Sequence, residues 1–534
     1  MLTNFFNYLE YNITTETKNG AIAYKTSTNA LVDINFQASS LRTYFNINDG
    51  FSEDIERKFM EALKEYPIYT IKWLLYLRDI RYGLGEREAF RRFVKCLIIN
   101  TNVNSAFIKL LNIPEFGRWD DFIDIYFYLV KQKKIDKRLM NIKNFMFHTI
   151  KYQLSQDIYS FKYKKIDMSL LAKWLPSESS SSIENSYRAI YLARKLNMSL
   201  RTYRKTLSKL RKSLKIIETY MSNNQWNQIN YSQVPSKANL LYKNAFLVHD
   251  RERRLEFLDS LAKNKTKINS KALFPYEIIY HYKKLIDRNS TSLQETYVYN
   301  ETLEQMWKSL REYKLLNNTI VIRDGSASMT VNLNKGRATL LDVADAMTIY
   351  CTEHSTNKMC KNNFITFSST PKVINLNSCK TLKDKLDLLK KYDDCSNTNI
   401  EKVFDLILKT AIRRKYKQND LPDSILIISD MQFDCCKANK NTYVLFESIR
   451  NKYKRNGYKL PKLIFWNLDQ NFSNTIPMQN NDNGLILLSG FSTSLMEMVC
   501  STELDPFKAL IKVLDKDRYN YIDKININDY IYKE

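Results

Sequence analysis

The sequence NNTIVIRDGSASM at residues 317–329 decides the fold of the C-terminal part of this chain. It is a short run rich in β-branched residues that ends in a polar loop, and DSILIISDMQFD at residues 423–434 has the same pattern. Between and after them, short apolar runs alternate with stretches of helical periodicity. This alternation predicts βαβ units around a mostly parallel sheet. We therefore predict a doubly wound α/β domain at residues 304–500, followed at residues 501–534 by one helix and a polar tail.

Polar side chains stand where these predicted strands end. The C-terminal ends of parallel strands meet at one edge of a sheet, so side chains from distant parts of the sequence come together there. Hard oxygen ligands in such a cluster suit Mg²⁺ or another divalent cation. The predicted metal ligands are Asp324, Ser326, Ser328, Thr398 and Asp430. Ser396 is an alternative to Thr398.

The order D-x-S-x-S, then Thr, then Asp after an apolar strand resembles the metal-ion-dependent adhesion site of von Willebrand factor A domains. The resemblance covers roughly residues 317–500 and implies that these side chains bind a divalent cation, directly or through water. Two positions depart from the family pattern, because Ala327 and Met431 stand where a Gly is often found. Neither departure removes a ligand. The alternative is a domain that kept the loop geometry and lost its metal affinity.

Residues 53–303 show a different pattern. Helix-length amphipathic stretches are joined there by short turns, for example at Pro67 and between Gly83 and Gly85. Gly and Pro number only 10 each in 534 residues, which argues against an all-β protein that needs many tight turns. We predict a HEAT-like α-helical region at residues 53–303, preceded by a lead segment at residues 1–52.

The positive charge is concentrated in the first part of the chain. The formal net charge is +25, and residues 1–300 hold 48 Lys and Arg against 29 Asp and Glu, whereas residues 301–534 hold 34 against 28. The most basic stretch is residues 188–215, and no acidic residue occurs from Asn185 to Ile217. Such a stretch favours a polyanionic partner, although a solvated helix face is the alternative.

Helical periodicity within the basic stretch predicts an inward apolar stripe that includes Tyr203, Leu207 and Leu210, with the charges facing solvent. Nearby tyrosines could stack on unpaired bases: Tyr187, Tyr191, Tyr203 and Tyr220. The predicted RNA-binding residues are Arg194, Lys195, Arg201, Arg204, Lys205, Lys209, Arg211, Lys212 and Lys215. We therefore predict that RNA is the leading partner of the chain and that it binds this segment.

Several N-terminal segments carry a second resemblance: KNGAIAYKTSTNALVDINF at residues 18–36, LLYLRDIRYGLGERE at residues 74–88 and IPEFGRWDDFIDI at residues 113–125. They look like an uncharacterised family from plants and large DNA viruses that couples a helical region to a C-terminal von Willebrand A-like domain. The architecture is similar to the TROVE module and von Willebrand A domain of the Ro ribonucleoprotein autoantigen. In that protein family a ring of helical repeats binds small or misfolded RNAs, so the resemblance implies a TROVE-like, RNA-binding helical region.

Catalytic chemistry finds little support in the sequence, and we predict that the protein is not an enzyme. No G-x-S-x-G or comparable setting for a Ser nucleophile accompanies the four histidines, and His148 within the apolar run FMFHTI is predicted to be a core residue. The side chains of the adjacent pairs Asp120–Asp121 and Asp393–Asp394 point to different faces of a helix or strand, so neither pair can easily chelate one metal. We predict that these pairs are a helix cap and a solvated surface. None of the eight cysteines forms a C-x-x-C pair, which argues against structural zinc.

The predicted function is non-catalytic recognition of RNA or a ribonucleoprotein by the basic helical part. The metal site would offer an open coordination position to a carboxylate of an acidic protein partner. The main alternative is a metal-dependent protein-assembly scaffold without RNA binding, and a third is an undetected hydrolase. We see no signal peptide and no membrane-spanning stretch, so reduced thiols in the cytoplasm are expected, the host cytoplasm if the protein is viral, with no membrane partner.

Overall fold

The structure is a computed structural model of the chain. It describes residues 14–17, 22–38, 52–163, 168–214, 216–270, 273–286, 296–313, 318–333, 338–367, 370–393, 399–433, 445–468, 476–478, 484–500, 503 and 505–531. These residues pack into two compact units. The first unit comprises Met1–Trp73, Tyr82–Leu84 and Lys267–Lys524, and the second comprises Leu74–Arg81, Gly85–Thr266 and Ile525–Glu534. In the part of the chain that is described, no helix is both long and apolar enough to cross a membrane.

Helices dominate the N-terminal part of the chain and alternate with strands in the C-terminal part. The described α-helices are α1 (Ala30–Phe36), α2 (Ser52–Glu65), α3 (Pro67–Arg78), α4 (Glu88–Asn100), α5 (Ser105–Leu110), α6 (Ile113–Phe116), α7 (Trp119–Lys131), α8 (Lys137–Lys162), α9 (Leu171–Trp174), α10 (Ile183–Lys195), α11 (Leu200–Ser213), α12 (Ile217–Ser222), α13 (Ser236–His249), α14 (Arg251–Ala262), α15 (Pro275–Lys283), α16 (Glu301–Lys308), α17 (Leu340–Glu353), α18 (Leu382–Lys390), α19 (Glu401–Arg414), α20 (Leu445–Arg455), α21 (Met496–Val499), α22 (Pro506–Leu514) and α23 (Asn528–Ile531). The predicted helical N-terminal region is confirmed.

The C-terminal part contains a six-stranded mixed sheet. The described strands of the chain are β1 (Thr14–Glu16), β2 (Ile22–Tyr24), β3 (Thr319–Asp324), β4 (Asn332–Leu333), β5 (Ala338–Thr339), β6 (Asn363–Phe367), β7 (Lys372–Asn375), β8 (Ser424–Ser429), β9 (Lys462–Asn467) and β10 (Leu485–Ser489). The sheet has the order β10-β9-β8-β3-β6-β7, and every neighbouring pair is parallel except β6 with β7. The predicted mostly parallel sheet is therefore confirmed.

Both faces of this sheet are covered, which explains why its strands read as near-continuous apolar runs. On β8, Ile425 and Ile427 join a core cluster with residues of α19 and α20, such as Phe404 and Phe446. The alternate residue Leu426 is equally buried, and α17 packs against β3, β6 and β8. Because side chains alternate along a strand, the cluster under α19 and α20 and the packing under α17 occupy opposite faces.

The first unit also takes in sequence from the N-terminal helical part. Helix α1 buries six of its seven residues and packs against β10. Helix α15 packs against α17, and α16 packs against α18. The stretches 53–73 and 267–303, which the sequence groups with the helical region, thus lie in the unit that contains the sheet. Their apolar faces find partners that are distant in sequence, and sequence periodicity carries no information on such partners.

A buried carboxylate organises the helical second unit at the start of α7. Asp121 is fully buried; its Oδ2 lies 2.7 Å from Nη2 of Arg78, and its Oδ1 lies 2.7 Å from Nε of Arg91. The backbone N–H of Arg118 donates to the same Oδ2 at 2.9 Å, so Asp121 caps the helix as the sequence predicts. A Cβ on Gly117 would stand 2.4 Å from this oxygen, and only glycine fits there.

We expect Asp121→Asn to lower the free energy of unfolding by about 3–5 kcal/mol, because the variant leaves buried Arg78 without its counter-charge. Urea denaturation followed by circular dichroism measures this loss. Glu115→Gln is the matched control. The side chain of Glu115 is 44% exposed and that of its ion-pair partner Arg81 is 56% exposed, and exposed ion pairs contribute at most about 1 kcal/mol to stability. Equal losses in the two variants would contradict the assignment of Asp121 as the organising charge.

Candidate functional site

The four predicted metal ligands that the structure describes, Asp324, Ser326, Ser328 and Asp430, lie at the topological switch point of the sheet. From β3 the chain first builds outward to β6 and β7, and it then returns to the other side of β3 with β8. The crevice outside the C-terminal ends of two strands that diverge in this way is where doubly wound sheets bind ligands. Asp324 is the last residue of β3, and Asp430 directly follows β8.

Hydrogen bonds hold the first three predicted ligands in one cluster. The hydroxyl of Ser429 donates to Oδ2 of Asp324 at 2.5 Å, and the backbone N–H of Ser326 donates to Oδ1 of Asp324 at 2.9 Å. The hydroxyl oxygens of Ser326 and Ser328 lie 3.0 Å apart. Adjacent ligands of an octahedral ion with bonds of about 2.0–2.1 Å are separated by about 3 Å, so the spacing of this hydrogen-bonded pair of hydroxyls is also compatible with Mg²⁺.

The electrostatics of the cluster favour an added cation. Burial, and after it the negative charge of Asp430, raises the pKa of Asp324 to about 7. Asp430 is itself 3% exposed and accepts a hydrogen bond of 3.1 Å from the backbone N–H of Gln432. Two buried carboxylates repel each other, and a divalent ion between them would remove that cost.

The residue after Asp430 explains one departure from the family pattern. Met431 has φ of 62°, in the left-handed region that glycine adopts without steric cost. Its side chain is 1% exposed and belongs to the core cluster under α19 and α20. Apolar packing therefore offsets the backbone strain at this position.

The other predicted ligand lies outside the described residues, as does its alternative: Thr398 and Ser396 both fall between residues 393 and 399. Within the described ranges, no group of three or more His, Cys, Asp or Glu side chains is placed to hold a metal ion. The cluster at β3 and β8 combines two carboxylates with hydroxyls, a donor set for a hard cation. The sequence-based assignment of the five ligands stays a prediction.

Beside this cluster lies a buried ion-pair network that the sequence analysis missed. Arg323, fully buried on β3, contacts Asp345 of α17 at 2.6 Å and also pairs with Asp393. Lys283 of α15 lies 2.8 Å from the second oxygen of Asp345. Burial alone would raise the pKa of Asp345, but Arg323 and Lys283 hold it below its ordinary value. In the sequence, this network could have been expected from Arg323, a charged residue inside an apolar strand.

This network corrects the prediction that Asp393 lies on a solvated surface. Its carboxylate is 19% exposed and faces Arg323, from which it is separated by 70 positions in the sequence. The pairing fixes the chain just before the segment that contains the predicted ligand Thr398.

Eight of the nine predicted RNA-binding residues are found on two consecutive helices, α10 and α11. The predicted inward stripe of Tyr203, Leu207 and Leu210 is buried, which leaves the rest of α11 free to face solvent. Ser199 caps α11 by accepting a hydrogen bond from the backbone N–H of Thr202 at 3.1 Å. The exposed cations, which we call the basic face, are Arg194, Lys195, Arg201, Arg204, Lys205, Lys209 and Lys212.

Two of the predicted RNA-binding residues are not on the basic face. Arg211 donates from Nε to the carbonyl of Ala172 at 2.8 Å and from Nη2 to that of Leu175 at 2.7 Å, and its Nη1 donates to the hydroxyl of Ser177. Its guanidinium therefore holds the C-terminal end of α9, and burial lowers its pKa. Lys215 lies outside the described residues.

Only one of the four tyrosines proposed for base stacking is well exposed. Tyr187 on α10 is 67% exposed. Tyr203 is buried, and its hydroxyl donates to the carbonyl of Pro176 at 3.0 Å, so it is unavailable for stacking. Tyr191 packs edge-on against Phe127 at 5.9 Å between ring centroids. Tyr220 packs against a small apolar cluster. Helical periodicity predicts that Tyr203 faces inward, and this prediction is confirmed even though basic residues surround Tyr203 in the sequence.

A cleft of about 640 Å³ beside α10 is a further feature that the sequence did not reveal. Its lining includes Arg91 and Arg188, the carboxylates Asp120 and Asp124 that pair with them, Trp174, and serines of the loop before α10. The guanidinium of Arg118 lies 5.3 Å from the centre of the Trp174 ring. The cleft belongs to the helical unit, and its lining carries both acidic and basic side chains.

Known protein families are similar to two stretches of this chain. Residues 146–314 match a domain of unknown function, DUF2828, and residues 318–518 match a second one, DUF7788. An uncharacterised protein of Acanthamoeba polyphaga mimivirus is 29% identical over 537 residues, which cover 93% of this chain and 87% of that protein. The predicted resemblance to proteins of large DNA viruses is thereby confirmed.

One solved structure, that of the Ro (RSR) protein of Deinococcus radiodurans, aligns with a TM-score of 0.35 and 11% identity. The alignment covers 83% of this chain and 90% of that one. At this level of similarity, nothing about the function of this chain follows from that structure.

Proposed function

We propose that this protein is a non-catalytic RNA- or ribonucleoprotein-binding protein that contacts phosphates through the basic face of α10 and α11. The observation that carries the proposal is the exposure of seven cations on two consecutive helices. The only carboxylate on these helices, Glu184, stands at the start of α10, where it pairs with Lys131 and Arg188 at 2.7 Å each. The cations of the basic face therefore keep their charge for a polyanion.

The arrangement also indicates the character of the interaction. Arg204 comes no closer than 3.9 Å to the carboxylate of Glu178 and stays 62% exposed, so this contact takes little from its charge. Long, flexible lysine and arginine side chains on one helix surface neutralise phosphates without reading base identity. The proposed binding is therefore salt-dependent and tolerant of sequence.

We expect the quadruple variant Arg204→Glu, Lys205→Glu, Lys209→Glu, Lys212→Glu to bind RNA at least about tenfold more weakly, whatever the RNA sequence. Because the variant no longer neutralises four phosphates, the slope of log affinity against log salt should flatten by about 3, at about 0.7 per phosphate for single strands. Fluorescence anisotropy over a salt series measures both quantities.

The control for this variant reverses four exposed lysines of the same unit outside the basic stretch: Lys109, Lys133, Lys134 and Lys237. It changes the net charge equally, so it tests whether location matters. Unchanged affinity in a folded quadruple variant of the basic face, or equal losses in the two variants, would overturn RNA binding by this face and favour the protein-assembly scaffold.

We propose further that the first unit carries a von Willebrand A-like metal site. Asp324, Ser326, Ser328, Thr398 and Asp430 would hold Mg²⁺ or a similar cation, partly through water. Three observations support this: the ligand cluster lies at the switch point of the sheet, its two hydroxyls have octahedral spacing, and its two carboxylates are buried together. When bound, the ion would offer an open position to a carboxylate of an acidic protein partner.

We expect Mg²⁺ to raise the melting temperature of the wild-type protein and to have no such effect on Asp324→Asn, because a ligand that binds only the folded state stabilises it. The variant should fold without Mg²⁺, since it removes one of two buried like charges. Differential scanning calorimetry with Mg²⁺, against K⁺ at equal ionic strength, makes the comparison.

Asp423→Asn is the matched control, because Asp423 precedes the same strand β8 at its opposite end and is exposed. It should keep the full Mg²⁺ effect. The metal proposal fails if the ion stabilises all three proteins equally or none of them. A protein partner that requires Mg²⁺ for capture and is insensitive to ribonuclease would support the scaffold role in addition.

A further inference from the structure

Helix α8 has a solvent-exposed face whose composition the fold does not explain. Its inward face buries an apolar row that includes Ile142, Met146, Ile150 and Leu154. The exposed residues on the rest of this helix include Asn141, Asn144, His148, Lys151, Tyr152, Ser155, Gln156, Tyr159, Phe161 and Lys162. His148 is among them, which corrects the prediction that it belongs to a core.

Three tyrosines lie along one side of this exposed face. Tyr152 and Tyr159 of α8 and Tyr163, the residue that follows the helix, are 66%, 48% and 55% exposed. The spacing of seven residues keeps Tyr152 and Tyr159 on one side of the helix. The rings of Tyr159 and Tyr163 have centroids 4.5 Å apart, and Nζ of Lys162 lies 5.5 Å from the centroid of Tyr163. We call these three residues the tyrosine face. It extends about 16 Å along the helix axis.

The charge of this region is positive. The exposed cations Lys151 and Lys162 adjoin the tyrosine face. The only carboxylate of α8 is Asp157, which is 1% exposed and accepts hydrogen bonds from the backbone and hydroxyl of Ser169. The exposed surface of α8 thus combines aromatic rings, cations and amides without an acidic group.

We infer that the tyrosine face stacks on unpaired bases of RNA, so that the ligand class of the helical unit is single-stranded rather than duplex RNA. The inference rests on the proposed RNA binding by the basic face. Aromatic rings beside cations are the elements of sequence-tolerant binding to single strands, because every base offers a π-face and every nucleotide a phosphate. Bases within a duplex are already stacked on one another and leave no face for a tyrosine.

A protein partner is the competing occupant, and the composition argues against it. Docking surfaces for proteins have an apolar core from which charge is depleted. Here Lys162 directly precedes Tyr163, and Lys151 directly precedes Tyr152. Charge complementarity therefore favours a polyanion.

The test uses the double variant Tyr152→Leu, Tyr163→Leu, which keeps apolar surface and removes two aromatic rings. Its affinity for an unstructured RNA of about 12 nucleotides should fall at least about tenfold, whereas its affinity for an RNA duplex of about 12 base pairs should change less than about twofold. The double variant Tyr152→Phe, Tyr163→Phe should restore most of the loss, since phenylalanine also stacks. Anisotropy titrations of both RNAs provide the measurement, and urea denaturation checks the fold of each variant.

The matched control is Tyr299→Leu, Tyr416→Leu, at two tyrosines of the other unit that are 49% and 41% exposed. It should bind both RNAs as the wild type does. If the wild type binds RNA and the Tyr152→Leu, Tyr163→Leu protein binds the single strand equally well, the tyrosine face is not a stacking surface, while the basic face stands. If the wild type binds neither RNA, the proposed function itself is wrong, and the inference falls with it. Self-association that the leucine variant abolishes, with unchanged affinity for the single strand, would assign this face to a second copy of the chain.

Discussion

The parallel pairing of β3 with β8 is the constraint on which the C-terminal part depends. Its register runs from Thr319 opposite Ser424 to Arg323 opposite Ile428. This pairing brings the ends of two strands, 105 positions apart in sequence, to one edge of the sheet, where Ser429 donates a hydrogen bond to Asp324. Because side chains alternate along a strand, a register shift of one residue would reverse their directions and disperse the cluster.

Positive charge has two uses in this protein, and burial separates them. Arg78 and Arg323 are buried against carboxylates, and Arg211 donates to backbone carbonyls at the end of α9. These three side chains hold helices and strands in place. If the helices or strands moved apart, a buried guanidinium would lose its acceptors, which would cost several kcal/mol of free energy, roughly the stability of a whole domain. The cations of the basic face are exposed instead, so their charge remains available to an external polyanion.

The two proposed sites belong to different compact units and use opposite electrostatics. The cluster at β3 and β8 brings two carboxylates into a buried crevice, where burial and the charge of Asp430 disfavour ionisation of Asp324. The basic face and the tyrosine face spread positive charge and aromatic area over exposed helices. A cation site of hard oxygens and a phosphate-binding surface do not compete for a ligand, so loss of one site need not affect the other.

The sequence by itself determined the elements and their inward faces: the apolar strands, the helix that buries Tyr203, and the D-x-S-x-S turn that starts at Asp324 all lie where local periodicity indicates. These are predictable because helices and strands repeat about every 3.6 and 2 residues. The tertiary structure alone decided that Arg211 faces carbonyls and that Asp393 faces Arg323. The physical reason is that the partner of a charged group is supplied by contacts distant in sequence, 39 and 70 positions away in these two cases, and periodicity records only which side of an element is buried.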